Sequence, residues 1–265
     1  TEVGGHALRR VDILADVRPP LVFADEPDTL EVQLPVAKPA FADTCPSGKV
    51  CIEDYSDSTR RGMSAFYEAL DELAQRPRPV RIAYFGDSFI EADILTADLR
   101  AMLQQKYGGC GVGFVPITSP INGFRPTVVH TFGGWNSHAA TDSVGFERSR
   151  QGISGHYFFP YDDAYVELRG QRKYASRLDT CRQVSAFFRN TGTMDLSLKI
   201  NGATALSQSF GPEGQIREWS VEGRIGTARW TVNAADSAVF YGVAMDDLSG
   251  IVLDNFSLRG MSGLS

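Results

Sequence analysis

Between Ser58 and Gln75 the apolar residues Met63, Phe66, Tyr67, Leu70 and Leu73 recur at intervals of three and four, the spacing of one helix face. The helix is expected to stop near Arg76-Pro77, because proline disfavours helical geometry in the residue before it. Val80-Arg81-Ile82-Ala83-Tyr84-Phe85 then reads as a short, mostly buried strand of the kind found in parallel sheets. Past Gly86-Asp87-Ser88 a second helical spacing runs through Ala92, Leu95, Leu99, Met102 and Leu103. Helix, strand, tight turn and helix in this order predict a doubly wound α/β domain, whose sites lie at the carboxyl ends of its strands.

The pattern changes after Tyr107. Gly108 to Gly113 is glycine-rich, and a stretch punctuated by Pro, Asn and Gly continues to about Gly155. Period-two alternation follows in 164–169, 195–200 and 227–232, and Asn201-Gly202 is a hairpin signal, since a type I′ turn needs positive φ at both positions. Short strands at regular spacing predict a β-sandwich. Ile251-Val252-Leu253-Asp254-Asn255 again has the pattern of a buried strand, so the sandwich is expected as an insertion. The expected organisation is an extended, Pro- and Asp-rich arm over 1–51, an α/β core from 52–118 and 247–265, and a mainly β insert over 119–246.

Composition narrows the function classes. The 265 residues carry a net charge of −6, which offers no broad attraction to phosphate backbones, so nucleic acid is not the expected partner. No apolar run approaches the roughly 20 residues of a transmembrane helix. The first residue is Thr1 rather than Met, which leaves open whether a leader precedes it. Cys45 and Cys51 flank a short loop that a disulfide can close, pointing to an oxidising compartment; Cys110 and Cys181 are either a second bridge or two free thiols. No Cys-x-x-Cys or His-x-x-x-His spacing appears, so structural or catalytic zinc is not expected; a cofactor is not expected either. Gly108–Gly113 follows a helix and lacks a Lys-Ser/Thr, which reads as a flexible loop rather than a phosphate loop. Trp135, Trp219 and Trp230 are read chiefly as core residues, with stacking on sugar rings as the alternative.

The chemistry centres on Ser88. A serine hydroxyl becomes a nucleophile when a base takes its proton and donors meet the developing oxyanion. A strand-to-helix turn exposes the hydroxyl, Gly86 permits the tight turn, Asp87 helps fix it, and the Ser88 N–H is an oxyanion donor at the first turn of the next helix. The bland alternative is that Asp87 or Ser88 simply caps that helix.

Tyr84-Phe85-Gly86-Asp87-Ser88-Phe89-Ile90-Glu91-Ala92-Asp93 resembles the first motif block of the GDSL/SGNH hydrolases, most closely bacterial members with an inserted β-domain. The stretch 250–263 is similar to their second block, and the resemblance gives Gly260, with Gly263 next in register, the oxyanion role. It implies a flavodoxin-like three-layer α/β core, incomplete in this chain, with a β-sandwich-like insertion. It also implies a serine esterase acting on O-acylated, chiefly O-acetylated, carbohydrate or cell-wall glycan in the periplasm or outside the cell. Phe89 stands where relatives often have His, and Phe89 and Asp93 are candidate substrate contacts. The family's oxyanion Asn and its Asp-x-x-His base are expected beyond Ser265, for none of His6, His130, His138 and His156 has that setting. Two alternatives stay open: an O-acetyltransferase using the same serine, and a noncatalytic glycan-binding or assembly protein on the same scaffold.

Overall fold

The computed structural model describes residues 2–3, 6–7, 59, 61–76, 78–142 and 144–261. Cys45, Cys51 and Gly263 lie outside them. The chain divides into two compact units, Thr1–Arg60 and Arg61–Ser265. In the first, β1 (Glu2–Val3) and β2 (His6–Ala7) form a small antiparallel pair.

The second unit opens with α1 (Ser64–Asp71), β3 (Val80–Gly86), α2 (Thr96–Tyr107) and β4 (Gly113–Val115). Long strands follow: β5 (Val128–Ala139), β6 (His156–Gly170), β7 (Cys181–Asn190), β8 (Met194–Ile200), β9 (Leu206–Phe210), β10 (Glu213–Ile225), β11 (Thr227–Ala235) and β12 (Ala238–Asp246). Strand β13 (Ile251–Ser257) comes last. Nine strands form one antiparallel sheet in the order β10-β7-β12-β6-β11-β8-β9, with β4 added on β12 and β5 on β6. The ladder between β12 and β6 is a single register pair, Phe240 with Phe158. The sheet curls there, since Val184 and Phe188 on one side and Leu168, Leu198 and Trp230 on the other belong to one buried cluster. Alternation drives this: Met194, Leu196 and Leu198 are buried while Asp195 and Lys199 face out. Asn201 and Gly202 both take positive φ after β8, and the Asn201 side chain accepts the backbone N–H groups of Gly226 and Thr227.

The expected three-layer α/β core is not what forms. Among the described residues the parallel sheet has two strands, β3 and β13, in register from Val80↔Ile251 to Gly86↔Ser257. Helix α1 buries none of its residues, and α2 packs along β13. The local pattern of helix, strand and helix is real, but a doubly wound sheet needs repeated parallel crossovers, and here the far end of the chain supplies the single parallel neighbour.

The glycine-rich segment is a packed crossing rather than a flexible loop. A Cβ on Gly109 would sit 2.4 Å from the Ile251 carbonyl oxygen, and one on Gly250 would sit 2.3 Å from the Gly109 nitrogen. These glycines let the chain leaving α2 cross the start of β13 in backbone contact, and Gly109 also holds φ +103°. Gly109→Ala is therefore expected to lower stability by roughly 2–4 kcal/mol through overpacking and backbone strain. Gly123→Ala, where nothing lies within 4 Å, should stay within about 0.5 kcal/mol of the parent. Urea unfolding of both variants checks this, and equal losses would refute the close-packing account.

Candidate active site

Strand β3 ends at Gly86, and the Leu258 N–H donates to the Gly86 carbonyl (2.9 Å), extending the parallel pairing one step past β13. The two motif blocks therefore leave neighbouring strands at the same end of the sheet, with Ser88 two residues beyond Gly86 and Gly260 three beyond its partner Ser257. Asp87 fixes the turn: its Oδ1 accepts the Phe89 N–H at 2.9 Å and its carbonyl accepts the Ile90 N–H at 3.3 Å. Ser88 is exposed, and among the described residues its hydroxyl makes no hydrogen bond. Gly260 is exposed at φ +79°, and its N–H likewise has no acceptor among the described residues.

The turn does not run directly into a helix. A short 3₁₀ segment, Glu91–Asp93, intervenes, with Ala92 and Asp93 at φ 55° and 64°, and α2 starts only at Thr96. Ser88 therefore does not occupy the first turn of a helix, contrary to the expectation from the sequence. The left-handed pair is held by burial of Asp93, whose Oδ1 accepts from the Thr96 hydroxyl (2.9 Å), Arg100 Nη2 (3.2 Å) and Asn255 Nδ2 (3.0 Å). The Thr127 hydroxyl donates to Oδ2, and Arg125 Nε lies 3.8 Å from it. Asp93, a candidate substrate contact whose commoner reading is a solvated or capping carboxylate, is 1 % exposed and hydrogen-bonded through both oxygens. Phe89 is 80 % exposed beside Ser88, open to solvent.

Burial opposes ionisation of Asp93, but Arg100, Arg125 and the Thr127 hydroxyl overcome it and hold the carboxyl well below its ordinary range. With the folded pKa depressed below the unfolded 3.8, the unfolded chain binds the proton first on acidification. The stabilisation is complete above that value and is lost as pH falls below it. Asp93→Asn is expected to cost about 3–5 kcal/mol at pH 7, as for a broken buried ion pair. The gap between wild type and Asp93→Asn in urea melts should narrow below about pH 4, and a gap independent of pH would contradict this role.

No described histidine reaches Ser88 with a hydrogen bond. His130 is buried, its Nε2 3.1 Å from the Ile117 carbonyl, and burial and then Arg125 push its pKa down to about 3. His156 Nδ1 lies 2.9 Å from the Ser154 carbonyl, and burial lowers its pKa. The His138 ring stacks on Tyr157 at 4.8 Å. The tryptophans serve packing: Trp230 is buried, Trp135 donates to the Tyr165 carbonyl and abuts Phe240, and Trp219 meets Phe210. Cys110 and Cys181 are free thiols; burial and Asp247 push Cys110 up to about 12, and burial raises Cys181.

Two cavities open at this end. One, of about 470 Å³, is lined by Gly86, Asp87, Ile153, Ser154, Phe256 and Met261. The other, of about 240 Å³, includes Glu91, Arg125, Ser137, His138, His156 and Arg259. Leu258 borders both. Sequence reading had a signal for Glu91 and Arg259, which sit inside the two motif blocks, but none for Arg125, which arrives from an irregular loop. Among the described residues no group of His, Cys, Asp and Glu side chains can hold a metal ion, and no helix is long and apolar enough to cross a membrane.

No family model matches the chain, and no curated protein matches it in sequence. Among solved structures, a peptidoglycan O-acetylesterase aligns with a TM-score of 0.54 at 18 % identity, covering 74 % of this chain and 51 % of that one. The chain thus spans about half the length of that structure and shares its fold over the matched part. A family two carbohydrate esterase from Cellvibrio japonicus aligns with a TM-score of 0.32 at 9 % identity, over 53 % of this chain and 35 % of that one. A mutant of a family 29 carbohydrate-binding module aligns at 0.30 and 7 % identity, over 51 % of this chain and 94 % of that one. Scores this low carry no argument for a shared fold.

Proposed function

We propose that this chain carries the nucleophile and one oxyanion donor of a serine esterase that removes acyl groups, chiefly acetyl, from a glycan in the periplasm or outside the cell. The observation that carries the reading is the placement of exposed Ser88 and Gly260 past the carboxyl ends of two paired parallel strands. Ser88 attacks the acyl carbonyl, and the N–H groups of Ser88 and Gly260 meet the oxyanion. The sugar hydroxyl leaves, and water then releases the acyl group from the serine. The base belongs to the Asp-x-x-His block, which residues 1–265 do not contain. A fold shared with a peptidoglycan O-acetylesterase supports the substrate class by analogy. The same acyl-enzyme can pass its acyl group to a second sugar hydroxyl, which makes a transferase the variant reading.

One observation favours a different class. None of the described histidines bonds Ser88, which suits a glycan-binding scaffold without turnover. Hydrolysis of p-nitrophenyl acetate by the complete protein decides between them. Ser88→Ala is expected to lower kcat/KM by about 10³-fold or more, as for loss of a serine nucleophile. Equal slow hydrolysis by both proteins would remove the esterase reading.

A further inference from the structure

The two cavities at this end of the sheet differ in character, and the candidate reacting positions lie on the ridge between them. Asp87, just before Ser88, lines the larger cavity, and Glu91, three residues after it, lines the smaller one. On the other block Arg259 lines the smaller cavity and Met261 the larger, with Gly260 between them in the chain. Leu258 is their shared wall, packed so closely on Gly155 that a Cβ there would sit 2.7 Å from the leucine Cδ2.

The smaller cavity is polar and electrically balanced. Arg125 and Arg259 are matched by Glu91 and Asp142, and the hydroxyls of Thr118 and Ser137 lie 2.8 Å apart on its wall. The larger cavity is apolar by comparison. Phe85, Ile153, Phe256, Leu258 and Met261 line it, and the Phe85 and Phe256 rings stack at 5.2 Å. Its polar members do not reverse this, since Asp87 accepts the Phe89 N–H of its own turn, Gln151 is exposed to solvent and Ser154 adds one small hydroxyl. Phe85 and Ile153 are 58 % and 63 % exposed, an apolar surface of the kind that marks a binding site when it gathers round a cavity. Ile153 comes from the insert, in a turn held by the Gly155 N–H on the Gly152 carbonyl (3.0 Å) and the Gly152 N–H on the His156 carbonyl (3.2 Å). The backbone thus fixes this apolar wall beside the Ser88 turn.

An ester bound for attack extends two ways from its carbonyl carbon, the acyl chain on one side and the alcohol on the other. With the carbonyl at Ser88 and Gly260, a hydroxyl-rich sugar matches the polar cavity and an acyl chain the apolar one. An acetyl group would place only a methyl there, roughly the 30 Å³ of a water molecule, against a cavity of about 470 Å³. We infer that the larger cavity is an acyl site that selects straight-chain acyl groups longer than acetyl, with Phe85 and Ile153 as its outer walls. The inference rests on the esterase reading and changes its acyl group, since analogy alone supplies acetyl.

Hydrolysis of p-nitrophenyl acetate, butyrate and hexanoate by the complete protein tests it. One leaving group serves all three, so differences in kcat/KM report the acyl chain. Each methylene buried should raise kcat/KM about fourfold, which puts butyrate roughly tenfold above acetate. Ile153→Asp should bring butyrate down to the level of acetate, and Ile153→Ala should bring it part of the way. Ile153 is exposed, so neither change removes core packing. Acetate preferred over both longer esters, or a butyrate preference that Ile153→Asp leaves unchanged, overturns the acyl site while Ser88-dependent turnover keeps the esterase reading. Hydrolysis that Ser88→Ala leaves intact removes the esterase reading and the acyl site with it.

Discussion

The Asp93 carboxylate is the point on which the candidate site depends. Four separate stretches meet at it: its own left-handed turn after Ser88, α2 through Thr96 and Arg100, β13 through Asn255, and the loop before β5 through Thr127 and Arg125. Asn255 also donates to the Ile90 carbonyl at 2.7 Å, so β13 grips the Ser88 turn directly. Burying a carboxylate costs several kcal/mol, and the hydrogen bonds and two guanidiniums offset that cost only when all are in place. Such a cluster fixes relative position more than it adds stability, and here it sets the turn bearing Ser88 beside the strand that leads to Gly260.

A second constraint explains why α2 lies inside out. Strand β13 has β3 on one side, and its other edge must still satisfy its backbone groups. Arg100 donates to the Leu253 carbonyl at 3.1 and 3.0 Å, and Gln104 donates to the Gly111 carbonyl at 2.9 Å in the neighbouring crossing. Asp254 accepts the Phe114 N–H and pairs with Arg81. The helix thus turns Thr96, Ala97, Arg100 and Gln104 inward and leaves Leu95 and Met102 exposed. Polar demand at a sheet edge decides its orientation, against its apolar stripe.

Much of the local structure was legible in the sequence. The strand 80–86, the turn at Ser88, the strand 251–257 and the alternating strands after Gly155 all carry patterns that a period of two or a tight-turn tripeptide reveals. What the sequence hid were the relations between distant segments. The apolar spacing through Leu99, Met102 and Leu103 predicted the helix but not its buried face, because the partner surface is backbone rather than side chain. The glycines at 108–113 resembled a loop because close backbone crossing and flexibility call for the same residue. The α/β core was overread from one local unit, whereas the fold is carried by an antiparallel sheet. Arg125 gave no signal, since its meaning comes entirely from the Asp93 cluster and the cavity beyond it.

The proposed role of Ser88 as an activated nucleophile is tested most directly by covalent capture. The complete protein treated with a fluorophosphonate ester should gain a single adduct mass, and peptide mapping should place that adduct on Ser88. No adduct, or an adduct on another residue while Ser88 stays unmodified, would contradict the assignment of Ser88 as the nucleophile.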